Sequence, residues 1–221
     1  MARLATAVLV LLVAVAAVSQ APQIASQTAF AEPVIGFTQD FPLSAPSHYS
    51  LQVTRSGQAS YESVGKLTPE AEGDPFSYNF AISSATVTQL FALAEQAKYF
   101  ERDVDYKKGR QANTGKKTLS YQDAARQHHT EYNYSTHQEI QQLTKLFQSI
   151  ALTMEFARHL QYFHRYQPLA LEEDLKRMEE MEKGNDLQEL PAIAPILQQI
   201  ADDKAVLNVS RSRALRLLSK R

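Results

Sequence analysis

The chain has 221 residues, 23 Lys plus Arg, 24 Asp plus Glu and a net charge of −1, with 44% hydrophobic residues and no cysteine. Near-neutral charge excludes general nucleic-acid binding, which needs a net basic face. The hydrophobic content, with 10 Tyr and 10 Phe, argues for a folded chain rather than a disordered one. The absence of Cys excludes disulfides, a thiol nucleophile, a Cys-ligated metal and lipidation through a thiol.

Arg3 is the only charge before Glu32, and an apolar run fills Leu4 to Val18 with Thr6 as its one interruption. A short basic start followed by an apolar run of this length is the pattern of a secretory signal peptide. The run is shorter than the ~20 residues that a spanning helix needs. The small-x-small triplet Ala29-Phe30-Ala31 predicts cleavage after Ala31, in preference to Ser19-Gln20-Ala21, which would leave Pro22 directly after the cut. Residues 1–31 are therefore read as a signal peptide, the product as periplasmic or secreted, with no stable membrane span after cleavage.

Residues 32–47 carry Pro33, Pro42 and Pro46 with little periodicity, and are read as an extended linker whose Val34-Ile35-Gly36-Phe37 can dock on the domain. Tyr49, Leu51 and Val53 alternate with polar residues, Arg55-Ser56-Gly57 forms a turn, and Ala59 to Val64 returns: a hairpin. Leu67 to Asp74 is a loop, and Phe76, Tyr78, Phe80 and Ile82 mark a third strand. Ser83 or Ser84 caps a helix to about Phe100, with Val87, Leu90, Phe91, Ala94 and Ala97 on one face.

Glu101 to Thr114 is polar and predicts an exposed loop. Thr118 to Tyr121 and His129 to Tyr134 predict a second hairpin around Asp123-Ala124-Ala125. Thr136 with Glu139 has the spacing of a capping box before a helix to about Tyr166, whose buried stripe is Ile140, Leu143, Phe147, Ile150, Met154 and Ala157. Tyr78-Asn79-Phe80 and Tyr132-Asn133-Tyr134 each precede a helix, which hints at an internal repeat. Three helices follow: Leu171 to Lys183, stopped by Gly184 and supported by pairs such as Glu172 with Lys176; Leu187 to Ile200; and a basic one from Asn208 to Lys220.

The expected fold class is α+β: an antiparallel sheet of about five strands packed by two helices, with a helical C-terminal extension. The domain covers 48–167 and the extension 168–221.

Candidate chemistry is sparse. Gly109 to Thr118 ends Gly115-Lys116-Lys117-Thr118, but a phosphate loop needs four residues between its glycines, then Lys followed directly by Ser or Thr, then a helix. Here five residues intervene, Lys117 separates Lys116 from Thr118, and a strand follows. No pair of histidines sits four apart on a helix, so no metal site is assigned and no cofactor is implied. His129, His137 and Glu131 are the only candidate catalytic group, the basis of one reading: a hydrolase of envelope polymers with His and carboxylate catalysis. The strand tyrosines Tyr61, Tyr121, Tyr132 and Tyr134 either pack a sheet against helices or line a face that binds a partner.

Tyr49-Ser50-Leu51 with Gly57 and Tyr61, Leu90-Phe91 with Tyr99-Phe100, Thr114-Gly115-Lys116-Lys117-Thr118-Leu119 and Tyr132-Asn133-Tyr134 resemble an uncharacterised bacterial exported domain of unknown function, over about residues 49–150. The resemblance implies a bacterial envelope setting and supplies no catalytic residues. Export, an aromatic sheet and the missing catalytic signature together favour a non-enzymatic binding or interaction module, with an envelope protein or glycan as partner.

Overall fold

In the computed structural model, residues 32–67 and 73–220 are described; the signal peptide expected over 1–31 lies outside them. The period-2 alternation around Tyr49-Leu51-Val53 forms a strand inside an antiparallel sheet, as expected. The described residues form six strands: β1 Val34–Asp40, β2 His48–Thr54, β3 Gln58–Gly65, β4 Asp74–Ala81, β5 Lys116–Gln122 and β6 Gln127–Tyr132. Their order is β4-β3-β2-β1-β5-β6, with every pair antiparallel. Gly57 turns β2 into β3 at φ +90°, where a Cβ would meet the Ile82 carbonyl oxygen at 3.1 Å.

The sixth strand corrects the linker expected over 32–47. β1 lies inside the sheet, paired with β2 on one side and β5 on the other. Its Ile35 and Phe37 are fully buried. The prolines flank this strand and never interrupt it, so no ladder hydrogen bond is lost. The segment is thus part of the domain.

Alternation gives the sheet two unlike faces. Ile35, Phe37, Leu51, Val53, Tyr61, Leu119 and Tyr121 point inward and are buried. Gln52, Glu62, His129 and Glu131 point outward and are exposed. Helices α1 (Ser84–Gln96) and α2 (Gln138–Tyr166) cover the inner face. Phe147 of α2 stacks on Phe37 at 5.3 Å, and Phe91 of α1 meets Tyr121 edge-on at 6.3 Å. All six residues of the expected α2 stripe are buried, which is the term that holds this long helix down.

Ser83 caps α1, its Oγ accepting from the Thr86 N–H. The capping box before α2 does not form. His137 occupies the N-cap position without a side-chain cap, and Glu139 instead faces His137 Nδ1 at 3.5 Å. Beyond α2 lie α3 (Leu171–Lys183), α4 (Ala194–Asp202) and α5 (Asn208–Leu218). The left-handed residue after α3 is Asn185, not Gly184. The helix expected from Leu187 begins only at Ala194, because Glu189 is left-handed and a short 3-10 turn over Leu190–Ile193 carries Pro191. Glu189 is held there by Ser83, whose N–H and Oγ both donate to its carboxylate at 2.9 and 2.7 Å.

The charged faces of α3 and α5 satisfy each other. Arg213 pairs with Glu172 and Glu179, Arg216 with Glu179, and Lys220 with Glu182. Glu172 therefore bonds across to α5 instead of along its own helix to Lys176. Among the described residues, no helix is long and apolar enough to cross a membrane.

Candidate functional site

The structure separates the three candidate catalytic residues. His129 and Glu131 lie on the outer face of β6, where Glu131 pairs with Lys116 at 3.2 Å and His129 stands opposite Ser120. His137 sits at the start of α2, exposed. A general acid and base must share reach of one reacting atom, and these do not. Among the described residues, no group of three or more His, Asp or Glu is placed to hold a metal ion.

Three of the four tyrosines, Tyr61, Tyr121 and Tyr132, belong to the core. Tyr61 is fully buried, with its hydroxyl donating to Glu155 Oε1 at 2.8 Å. Tyr121 is buried beside Tyr99 and donates to Asp123 Oδ2 at 3.1 Å. Tyr132, buried, and Tyr134, exposed, border a cleft of about 320 Å³ between the end of the β5–β6 hairpin and the first half of α2.

A polar seam leads to that cleft along the inner face. Register places Ser63, Tyr49, Gln39, Lys117 and Tyr132 in one row across β3, β2, β1, β5 and β6. α2 lays Thr144, Gln148, Glu155 and Arg158 over that row. Tyr49 Oη and Gln148 Nε2 both donate to Gln39 Oε1 at 2.9 Å. Tyr132 Oη and Thr144 Oγ1 lie 2.5 Å apart. Glu155 accepts from Tyr61 and from Ser63, the latter at 2.5 Å. Arg158 Nη2 donates to the carbonyls of Gly65 and Asp74 at 2.6 and 3.0 Å. Burial pushes the hydroxyls of Tyr49, Tyr61 and Tyr132 above the ordinary phenol range, and the Glu155 charge adds to this at Tyr61.

At the cleft, the β5 alternation turns Lys116 outward and Lys117 inward. Lys117 is only 5% exposed. Its Nζ lies 2.8 Å from Thr114 Oγ1, 2.9 Å from the Asn133 carbonyl, and 3.3 and 3.4 Å from the Gly115 and Thr114 carbonyls. Among the described residues no carboxylate lies within 4.0 Å of it, and burial lowers its pKa from the ordinary lysine value. The loop holding these oxygens is tied down by Asn133, whose Oδ1 accepts from Thr114 N–H and whose Nδ2 donates to the Ala112 carbonyl, both at 2.9 Å. Gly115 adopts φ +91°, and a Cβ there would meet Phe41 Cβ at 2.6 Å and the Asp40 carbonyl oxygen at 2.8 Å. Gly115 is thus required for this loop's path, and not for cradling a phosphate.

Lys145, Gln141, Gln148, Thr144 and Ile140 complete the α2 wall. Among the described residues no carboxylate lines the cleft, and its surface is mostly apolar. Sequence reasoning missed Lys117, Gln141, Gln148 and Lys145. The available signals were the shared parity of Lys117 with Leu119 and Tyr121, and the spacing of Gln141, Thr144, Gln148, Glu155 and Arg158 along one side of α2.

A second groove, of about 440 Å³, runs over the outer face beside Gly36, with Gln52, Ser120, Gln127 and His129 in its walls. It contains no buried charge. No family model matches the chain, and no curated protein matches it.

Proposed function

We propose that this chain is an exported, non-enzymatic binding module of the bacterial cell envelope, holding a small group of an envelope protein or glycan in the cleft beside Tyr132 and Tyr134. The observation that carries this reading is the cleft itself. It is lined by aromatic, amide and apolar groups, while His129, Glu131 and His137 lie apart. A concave, mostly apolar site with a few fixed polar groups is the usual form of a small-ligand site. Tyr134, 40% exposed and set edge-on to Tyr106 at 6.1 Å, offers aromatic surface at the cleft. The N-terminal basic and apolar segment supports export.

Titrating the protein with soluble envelope glycan fragments and peptides, followed by two-dimensional NMR, tests the binding reading. Shifts at Tyr132 to Ser135 and Gln141 to Gln148 are expected. Gln141→Trp, which places an indole at the cleft wall, should abolish them. Shifts elsewhere, or unchanged by that substitution, would count against the reading. Mass spectrometry of the exported protein should show a first residue of Glu32.

A further inference from the structure

Lys117 is a buried ammonium with no carboxylate beside it among the described residues, on the wall of an open cleft. Taking such a charge out of water is unfavourable unless it is paired. What sets Lys117 apart from the rest of the seam is the lack of a carboxylate near its charge among the described residues. Tyr132 has Thr144, Gln39 has Tyr49 and Gln148, and Arg158 has Glu155 at 3.6 Å as well as two carbonyls. Lys117 has three donors. Two are taken by Thr114 Oγ1 and the Asn133 carbonyl; the third is left to two carbonyls at 3.3 and 3.4 Å, both long for a charge-assisted bond.

Several of the other polar groups at the cleft are engaged within the chain. Gln141 Nε2 donates to the Ser135 carbonyl at 2.8 Å, and Thr144 serves Tyr132. Lys145 is a second cation on the same wall, exposed and without an ion pair among the described residues. Lys116, the neighbouring lysine, is paired with Glu131 on the opposite face. The cleft therefore presents positive charge, no negative charge and mostly apolar surface.

We propose that the cleft takes a small organic anion, a carboxylate on an apolar body, with its head at Lys117 Nζ and Lys145 at the entrance. This deepens the binding reading above and rests on it. One buried cation suits a single negative charge, and a volume of about 320 Å³ lies at the small end of ligand sites. The carboxylate would replace the two long carbonyl contacts of Lys117 and supply a counter-charge that the described residues do not place there. The apolar body would lie toward the exposed Tyr134 ring, with the buried Tyr132 ring, whose centroid is 6.0 Å from Nζ, behind the head group.

Calorimetry with three chain-matched probes tests this: octanoate, 1-octanol and octylamine. The wild-type protein should bind octanoate, bind octanol at least about tenfold more weakly, as loss of a charge-assisted hydrogen bond implies, and reject octylamine. Lys117→Met should remove the preference for octanoate over octanol. Lys145→Ala, at an exposed position, should reduce octanoate affinity by a smaller factor. Equal binding of octanol and octanoate to the wild-type protein would overturn the anion assignment and leave the cleft as a neutral site. Binding of octylamine in preference would overturn it too. Silence with all three probes would overturn it as well, and the binding reading would then be decided by the glycan and peptide titration.

Discussion

The two ends of α2 solve the same problem in opposite ways. Each holds a buried cation between helix and sheet, Arg158 on α2 itself and Lys117 on β5. At the far end Arg158, 4% exposed, is closed in by Glu155, by the Gly65 and Asp74 carbonyls and by the Phe76 ring. At the near end Lys117 is equally buried but meets only uncharged oxygens, with an open cleft beside it. A buried pair that is complete within the chain serves the fold. A buried cation that is incomplete, next to open space, has capacity left for something from outside. Burial alone does not separate these roles; the presence of a counter-charge does.

That contrast can be broken first at Glu155. Glu155→Ala leaves Arg158 without its carboxylate and Tyr61 and Ser63 without an acceptor, and should cost about 3–5 kcal/mol in urea unfolding. A loss below about 1 kcal/mol would show that the far end is not a closed network.

Alkaline pH probes the seam between the two ends. The folded-state pKa values of Tyr49, Tyr61 and Tyr132 are raised, so their contribution is intact below the ordinary phenol value of about 10 and falls as pH rises beyond it. Each should cost about 1.4 kcal/mol per pH unit in that range. Their ionisation, followed by ultraviolet absorbance, should coincide with unfolding followed by circular dichroism. Ionisation well before unfolding would contradict their burial. Lys117 has the opposite sign: its lowered pKa means that the folded state gains stability as pH rises through that value toward about 10.4.

Gly115→Ala should cost about 1–3 kcal/mol, because it forces φ +91° on an alanine against backbone and Phe41. The smallest expected effect is the most telling. Lys117→Met should change stability by no more than about 1 kcal/mol in either direction, since an unpaired buried cation contributes little to the fold. A loss of about 3 kcal/mol or more would make Lys117 a structural counterpart of Arg158 and erase the contrast.

Much of the fold is legible in the sequence. Tyr49-Leu51-Val53 and Phe76-Tyr78-Phe80 carry period-2 patterns strong enough to fix strand and face, and the α2 stripe fixes a long helix. β1 is harder. Three flanking prolines and Gly36 give 32–47 the composition of a linker, although only Ile35 and Phe37 are needed to anchor a central strand that neighbours on both sides complete. The α2 cap and the start of α4 depend on single-residue shifts, at His137 and Glu189, that side-chain contacts from elsewhere decide. The site is the least legible part. Gln39 meets Gln148, and Tyr61 meets Glu155, across 109 and 94 residues of chain. No local spacing encodes such pairs. Tyr132 and Tyr134 were nameable as strand aromatics; that they border a cleft and that Tyr61 does not depends on where α2 falls.

The most direct test is an NMR titration of the protein with octanoate, comparing the wild type with Lys117→Met. Shifts concentrated at Thr114 to Lys117, Tyr132 to Ser135 and Gln141 to Gln148, and lost in the variant while its fold is retained, are what an open, incomplete near end predicts. Shifts on the outer face around Gly36, Ser120 and His129, or shifts that persist in Lys117→Met, would contradict it.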